Sequence, residues 1–329
     1  PAVADFHGAR VMTASDAAAI EIAGLSKRFG QQPAVIDLDL RVDRGEMVGL
    51  LGHNGAGKST TLGCLLGQCF PDRGTIRVLS HDVFAARSRA LARLGAIFET
   101  PCFYQYLSGR ANLEALTRLS GPLDRARLDA VVARVGLTER IDDAVSKYSH
   151  GMRQRLALAQ ALLPGPEIVV LDEPSDGLDP AGIVEMRELI RELHRDLGLT
   201  VLFASHQLVE VERLCDRVVV LDRGRKVYDG SWRAAPGFER LVEVALDRPA
   251  EALRFATQRG LVESDAAVTR EAAEAGTARW KLAEAVAASA VNRALVEAGF
   301  EVQAIAAVRP RLEDLYLALR EGRGVEAAA

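Results

Sequence analysis

Eight consecutive residues have the types and spacing to cradle a phosphate chain. Gly52-His53-Asn54-Gly55-Ala56-Gly57-Lys58-Ser59 matches the P-loop pattern in full. Glycines let backbone N–H groups turn inward and approach phosphate oxygens closely. A helix that starts at the end of such a loop presents its positive N-terminus to the same anion. The Lys58 ammonium suits the β and γ phosphates of a nucleotide, and the Ser59 hydroxyl suits Mg²⁺.

A second run complements the first. Ile168-Val169-Val170-Leu171 is apolar throughout and ends in Asp172-Glu173. Such a run reads as a strand buried on both faces, and the C-terminal end of such a strand is where α/β sheets bind ligands. There Asp172 is placed to hold Mg²⁺ or its water. Glu173, one residue further, is placed to orient and polarise an attacking water. By itself an apolar run ending in two acids is a weak signal, since acidic residues often solvate a strand end. The P-loop gives it meaning.

These residues need a scaffold of alternating strands and helices. Period-2 alternation predicts strands over 20–23 and 35–40, and a continuous apolar run predicts a buried strand over 47–51. A helix follows over 58–66. Further strands are expected over 94–98, 168–171, 200–203 and 218–221, with a helix over 180–196. Strand–helix alternation implies a mostly parallel sheet, so the fold class is α/β. Helical spacing over 112–119, 123–135 and 152–163 predicts an all-helical insert within 107–163. Gly230, Pro236 and Gly237 punctuate a linker over 231–237. Beyond it, strands over 241–246, around 267–269, over 278–282 and over 300–308 interleave with helices over 250–258 and 285–297. A helix over 311–320 follows. That order, β-α-β-β-α-β, fits a small ferredoxin-like α+β unit. The expected organisation is a loose leader over 1–19, a nucleotide domain over 20–230, an accessory domain over 238–323 and a tail over 324–329.

Composition removes several function classes. The chain has 329 residues, 49% hydrophobic and 26% charged, which excludes a disordered or fibrous chain. With 41 basic and 45 acidic residues the net charge is −4, so no electrostatic footprint for nucleic acid is expected. Stretches free of Asp, Glu, Lys and Arg reach 13 residues, at 59–71 and 197–209, against the roughly 18 a membrane span needs. Four cysteines, at 64, 69, 102 and 215, show no zinc-type spacing.

The order of the motifs resembles the ATP-binding subunit of an ABC transporter over residues 20–230, with the P-loop NTPase fold that this implies. Tyr148-Ser149-His150-Gly151-Met152 stands where that family has Leu-Ser-Gly-Gly-Gln. Asp172 follows Ser149 by 23 residues, as the family's spacing requires. Asp176-Gly177-Leu178-Asp179 resembles the D-loop. His206, 33 residues after Glu173, matches the switch histidine. Phe29 occupies the adenine-stacking position. Two departures fall in the signature, where His150 replaces glycine and Met152 replaces glutamine. A third is Glu99, which stands where the Q-loop glutamine is expected.

The resemblance implies an ATPase that uses ATP and Mg²⁺. Glu173 and His206 would be its catalytic residues, and Ser59, Asp172 and Glu99 its metal contacts. The nucleotide contacts would be Phe29, Gly52, His53, Asn54, Gly55, Ala56, Gly57, Lys58, Ser59, Thr60, Ser149, Gly151 and Asp179. It further implies a homodimer, with Ser149 and Gly151 of one copy facing the P-loop of the other. Integral membrane permease subunits would dock near 99–106, a stretch that holds Phe103, Tyr104 and Tyr106. The chain would then sit peripherally on the cytoplasmic face of a bacterial cell membrane. Residues 97–104 and 148–155, with 310–316 near the end, look most like exporters of drugs, antibiotics and peptides with separate ATPase and membrane chains. An importer, a copper-site maturation system and a soluble nontransport ATPase stay open.

Overall fold

The computed structural model describes residues 18–98, 101–119, 121–122, 124–235, 240–263, 277–307 and 311–320. Glu99, most of the expected leader, the strand expected around 267–269 and the tail lie outside them. The chain divides into two compact units, the first ending at Asp229 and the second starting at Gly230. Each is described by itself.

In the first unit, β1 (Ala18–Phe29) and β2 (Gln32–Asp43) form an antiparallel pair in which Ile22 faces Leu40 and Leu25 faces Leu38. With β4 (Arg73–Val78) and β5 (His81–Asp82) they make a sheet of order β2-β1-β4-β5. A second sheet is built around β3 (Met47–Leu51), which is buried at every position. Its other strands are β6 (Leu94–Ile97), β7 (Ile168–Asp172), β8 (Thr200–Ser205), β9 (Arg217–Asp222) and β10 (Arg225–Ser231), in the order β10-β9-β3-β8-β7-β6. β3 runs parallel to β8 and β9, and β7 runs parallel to β6 and β8. The parallel sheet read from the sequence is therefore present. The antiparallel sheet beside it went unread beyond its first two strands, so the core is mixed.

Helix α1 (Lys58–Leu65) packs against both β2 and β7, which places it between the two sheets. Its Leu62, Cys64 and Leu65 join one core with Ile20, Leu38 and Leu40 on one side and Val48, Leu50 and Val170 on the other. Each fully buried aliphatic side chain there contributes roughly 1.5–3 kcal/mol. After the short α2 (Arg87–Leu91) and β6, the insert is helical as expected. It holds α3 (Gly109–Arg118), α4 (Arg125–Arg134) and α5 (His150–Leu162), with α3 and α4 both packed on α5. Ser108, Asp124 and Ser149 cap these helices through their side chains, which satisfies N–H groups that have no partner within the helix. The chain then runs from β7 through α6 (Pro180–Leu197), β8 and α7 (Leu208–Leu214) to β9.

The second unit carries an antiparallel sheet of order β12-β11-β13, formed by β11 (Leu241–Leu246), β12 (Thr277–Lys281) and β13 (Val302–Ala307). Helices α8 (Pro249–Gln258) and α9 (Ala288–Glu297) pack on the sheet, with Leu295 of α9 in one core with Trp280 and Val244, and α10 (Leu312–Arg320) follows. It is a small α+β domain.

Candidate nucleotide site

β3 ends at Leu51, and the loop that follows turns into α1 through Gly57. Gly57 adopts φ +110°, a left-handed conformation that disfavours any side chain, and a Cβ there would lie 2.6 Å from the Ala34 carbonyl oxygen. The same carbonyl faces Gly224, whose φ is +80° and whose Cβ would lie 2.8 Å away. Gly224 also donates its N–H to the Ala56 carbonyl at 2.9 Å and accepts from the Ile36 N–H at 2.7 Å. Three segments thus meet with no room for a side chain between them. His53 adds a brace, with Nε2 at 3.1 Å from Asp222 Oδ1 and Nδ1 at 2.7 Å from the Asn54 carbonyl oxygen.

Lys58 is the first residue of α1 and is buried, at 6% exposure. Its Nζ donates to the Gly52 carbonyl at 2.7 Å and lies 3.9 Å from Glu173 Oε1. Burial pushes the ammonium below the usual lysine pKa, against the opposing pull of Glu173 and Asp172. No side chain caps α1, and an N-terminus without a side-chain acceptor suits an anion.

β7 delivers Asp172, buried, at its C-terminal end, beside Ala204 of β8. Glu173 follows with φ +49°, an uncommon conformation for a residue with a side chain. Its backbone N–H donates to the Ala204 carbonyl at 3.0 Å. Its carboxylate is held from the end of β8. Oε1 accepts from the His206 backbone N–H at 2.9 Å and from His206 Nδ1 at 2.8 Å, and Oε2 accepts from Ser205 Oγ at 2.9 Å.

Most of these pieces line one cavity of about 540 Å³, whose walls do not include Gly52, Ala56 or Asp172. Its walls hold Phe29, His53, Asn54, Gly55, Gly57, Lys58, Ser59, Thr60, Glu173 and His206, all named from the sequence. Phe29 is placed at the mouth by the turn between β1 and β2, and its ring is 57% exposed. Gln32, Pro33, Ala34 and Asp176 also line the cavity and were not foreseen. Neither were Ser205, Asp222 and Gly224. A polar or glycine residue at a strand end or hairpin carries no sequence pattern, although Ser205 does sit beside His206.

Ser149, Gly151 and Asp179 are not in that cavity. They line a second cleft of about 420 Å³ with His150, Met152 and Leu178. Ser149 Oγ accepts from the Met152 N–H at 3.2 Å, and Asp179 Oδ1 accepts from the Gly182 N–H at 3.0 Å. The unexpected His150 has a structural use, since its Nε2 lies 2.9 Å from the Asp176 carbonyl oxygen. That contact ties the first turn of α5 to the loop before α6.

Residues 35–176 match the ABC transporter family model. The daunorubicin resistance ATP-binding protein DrrA3 of Streptomyces coeruleorubidus is 38% identical over 320 residues, which is 94% of this chain and 99% of that protein. The chain belongs to the ABC transporter ATP-binding subunits. The bacitracin transport ATP-binding protein BcrA of Bacillus licheniformis is 41% identical over 206 residues, 63% of this chain and 67% of the relative. A solved structure described as the ATP binding subunit of an ABC transporter covers 64% of this chain and 89% of its own, with a TM-score of 0.58 and 32% identity. This ABC subunit is accordingly an ATP-binding ATPase that works with membrane permeases. Among the described residues no helix is long and apolar enough to cross a membrane.

The donor set of this ABC subunit fits Mg²⁺. Among the described residues no cluster of three or more His, Cys, Asp or Glu could hold a metal ion by itself. A hydroxyl and a carboxylate such as Ser59 and Asp172 suit a hard cation that completes its shell with phosphate oxygens and water. The expected docking stretch is described from residue 101 on. Phe103 is buried, whereas Tyr104 and Tyr106 are 52% and 78% exposed with ring centroids 6.0 Å apart. The fully buried Asn112 fixes this loop. Its Oδ1 accepts from the Tyr104 N–H at 2.8 Å, and its Nδ2 donates to the Tyr104 and Ser108 carbonyls at 3.1 and 2.9 Å. Of the three aromatics in that stretch, Phe103 packs inward and Tyr104 and Tyr106 stay exposed.

Proposed function

We propose that the subunit drives export of a substrate through separate permeases, by closing as a homodimer around two ATP molecules and opening when they are hydrolysed. One observation carries the dimer: Ser149, Gly151 and Asp179 line a different cleft from the P-loop. The triphosphate held over one P-loop would be covered by Ser149 and Gly151 of the second copy. Phe29 would stack the adenine, and the loop N–H groups and Lys58 would take the phosphates. Ser59 and Asp172 would hold Mg²⁺, with Glu99 a further candidate. Mg²⁺ supplies charge neutralisation at the phosphates. Glu173, held by Ser205 and His206, would orient and polarise the attacking water, and His206 would stabilise charge on the departing phosphate.

Export is favoured by the match to the daunorubicin resistance relative, which runs through the accessory domain as well as the nucleotide domain. The bacitracin relative is named for transport, without a direction. The substrate class on this reading is a drug-like or peptide antibiotic, and the chain sits peripherally on the cytoplasmic face of the cell membrane. Glu173→Gln tests the chemistry. It should bind ATP as the wild type does, run as a dimer with ATP and release no phosphate. Normal phosphate release would remove Glu173 from its role. Reconstitution with the co-purifying permease tests direction, and ATP-driven uptake toward the ATPase side would replace export by import.

A further inference from the structure

Arg187 on α6 and Glu210 on α7 form an ion pair away from the nucleotide cavity. Arg187 Nη1 donates to Glu210 Oε1 at 3.2 Å, and the side chains are only 7% and 6% exposed. Burying two charges is costly, and an apolar pair of similar volume often holds two helices at least as well. The pair is also imperfectly satisfied, since Glu210 Oε2 is buried with no hydrogen-bond partner. Burial raises the Glu210 carboxyl above its usual range despite the pull of Arg187. A pair built for stability alone has little reason to take this form. What the charges add is direction.

That direction serves a definite place. Glu210 lies in the first turn of α7, its N–H donating to the Gln207 carbonyl at 3.1 Å. The residue just before Gln207 is His206, whose backbone N–H and ring both meet Glu173 Oε1. On the other side, α6 is capped by Asp179, six residues after Glu173. The two helices therefore begin within seven residues of the pair that meets over the cavity, and the ion pair joins them again, 14 residues after Glu173 and four after His206. Arg191 Nη2 adds a second tie by donating to the Arg213 carbonyl at 2.8 Å.

We propose that Arg187 and Glu210 are positioning residues for ATP hydrolysis, fixing the first turn of α7 so that His206 stays on Glu173. The inference rests on the reading of Glu173 and His206 as hydrolytic residues.

Glu210→Gln keeps the shape and removes the charge. In the full chain it should leave ATP affinity and KM within about twofold and lower kcat about tenfold. His206→Ala should lower kcat further, and adding Glu210→Gln to it should lower it by much less than tenfold, because most of the effect passes through the His206 ring. An Arg187→Met, Glu210→Met double variant should keep the melting temperature yet hydrolyse ATP slowly. NMR of ¹⁵N-imidazole-labelled protein gives a readout free of activity. The hydrogen-bonded Nδ1 signal of His206, assigned by its loss in His206→Ala, should weaken in Glu210→Gln. The proposal is overturned by an unchanged kcat and His206 signal in Glu210→Gln, by reductions that multiply with His206→Ala, or by wild-type kcat in the double Met variant. A wild type without ATPase activity would sink the reading of function instead, and the NMR signal would still decide the link.

Discussion

His206 meets one oxygen of Glu173 twice, through its backbone N–H at 2.9 Å and its ring Nδ1 at 2.8 Å, while Ser205 Oγ holds the other oxygen at 2.9 Å. Two adjacent residues at the end of β8 thus fix both oxygens of a carboxylate whose own backbone sits in an uncommon conformation. The main-chain bond survives any substitution of the histidine ring except proline. Truncating the ring therefore tests its chemistry more cleanly than its anchoring. His206→Ala should lower kcat by about 10²-fold or more. Ser205→Ala should cost only about 3–10-fold, as one neutral donor to the carboxylate is lost while both contacts from His206 remain. Steady-state phosphate release measures both. A Ser205 variant worse than the His206 variant would reverse this ranking.

The Ala34 carbonyl leaves no room for a side chain at Gly224. Gly224→Ala should destabilise the first unit by about 2 kcal/mol from strain and collision, a fall in Tm of about 4–8 °C. ATP affinity should drop with it, since the displaced residue is bonded to Ala56 of the P-loop. Gly121→Ala is the control, because a Cβ there would meet nothing within 4 Å. Calorimetry of both variants decides the matter, and equal melting temperatures would refute the packing argument.

Lys58 gives a pH signature. Its folded pKa lies below the unfolded value of 10.5. Between the two values the unfolded chain binds the extra proton, so stability rises with pH through that window. Lys58→Met lacks this contribution. The difference in unfolding free energy, wild type minus Lys58→Met, should therefore grow as pH is raised toward 10.5. Denaturant titrations at several alkaline pH values measure it. A flat difference would mean that burial does not penalise the charge.

Tyr104 and Tyr106 present exposed rings on a loop pinned by Asn112. Tyr104→Ala with Tyr106→Ala should reduce permease co-purification while leaving ATP binding and Tm unchanged. Asn112→Leu should instead lower stability by about 1–3 kcal/mol, since it strands buried backbone groups. Replacing Phe103 would confuse these effects, because its ring is buried. Undiminished co-purification with the double tyrosine variant would move the docking surface elsewhere.

The Ser149 hydroxyl accepts from the Met152 N–H, which uses a lone pair and leaves its own proton free to donate. Ser149→Ala should lose about 1 kcal/mol of helix capping along with that donor. Ser149→Asp keeps the cap and loses the donor. Both should fail to dimerise with ATP in the Glu173→Gln background, whereas only the alanine variant should melt earlier. Light scattering and thermal melts separate the two. An aspartate variant that dimerises normally would exclude the hydroxyl as a phosphate donor.

The nucleotide motif was legible because its chemistry is contiguous. Gly52 to Ser59 adjoin in sequence, and the buried strands β3 and β7 announce themselves as unbroken apolar runs. Helices of the insert showed through their spacing. β4 and β10 went unread because they bury only two residues and one residue respectively, among arginines and lysines, so no period emerges. The brace of His53 on Asp222 spans 169 positions, and nothing local marks it. Phe103 and Tyr104 are neighbouring aromatic residues of similar size. Which of them faces inward is settled by Asn112, eight residues beyond Tyr104, and by the packing of the insert.

The P-loop is finished by parts of the chain made long after it. Asp222 braces His53, and Gly224 bonds Ala56 and shares the Ala34 carbonyl with Gly57. A ribosome that has released the chain only as far as the start of α7 has released every residue of the phosphate motif, together with Asp172, Glu173 and His206. It has not released the hairpin that buttresses the loop. Translation order therefore sets the moment of nucleotide competence: the nascent domain reaches its ATP-holding shape only once residue 224 has cleared the exit tunnel.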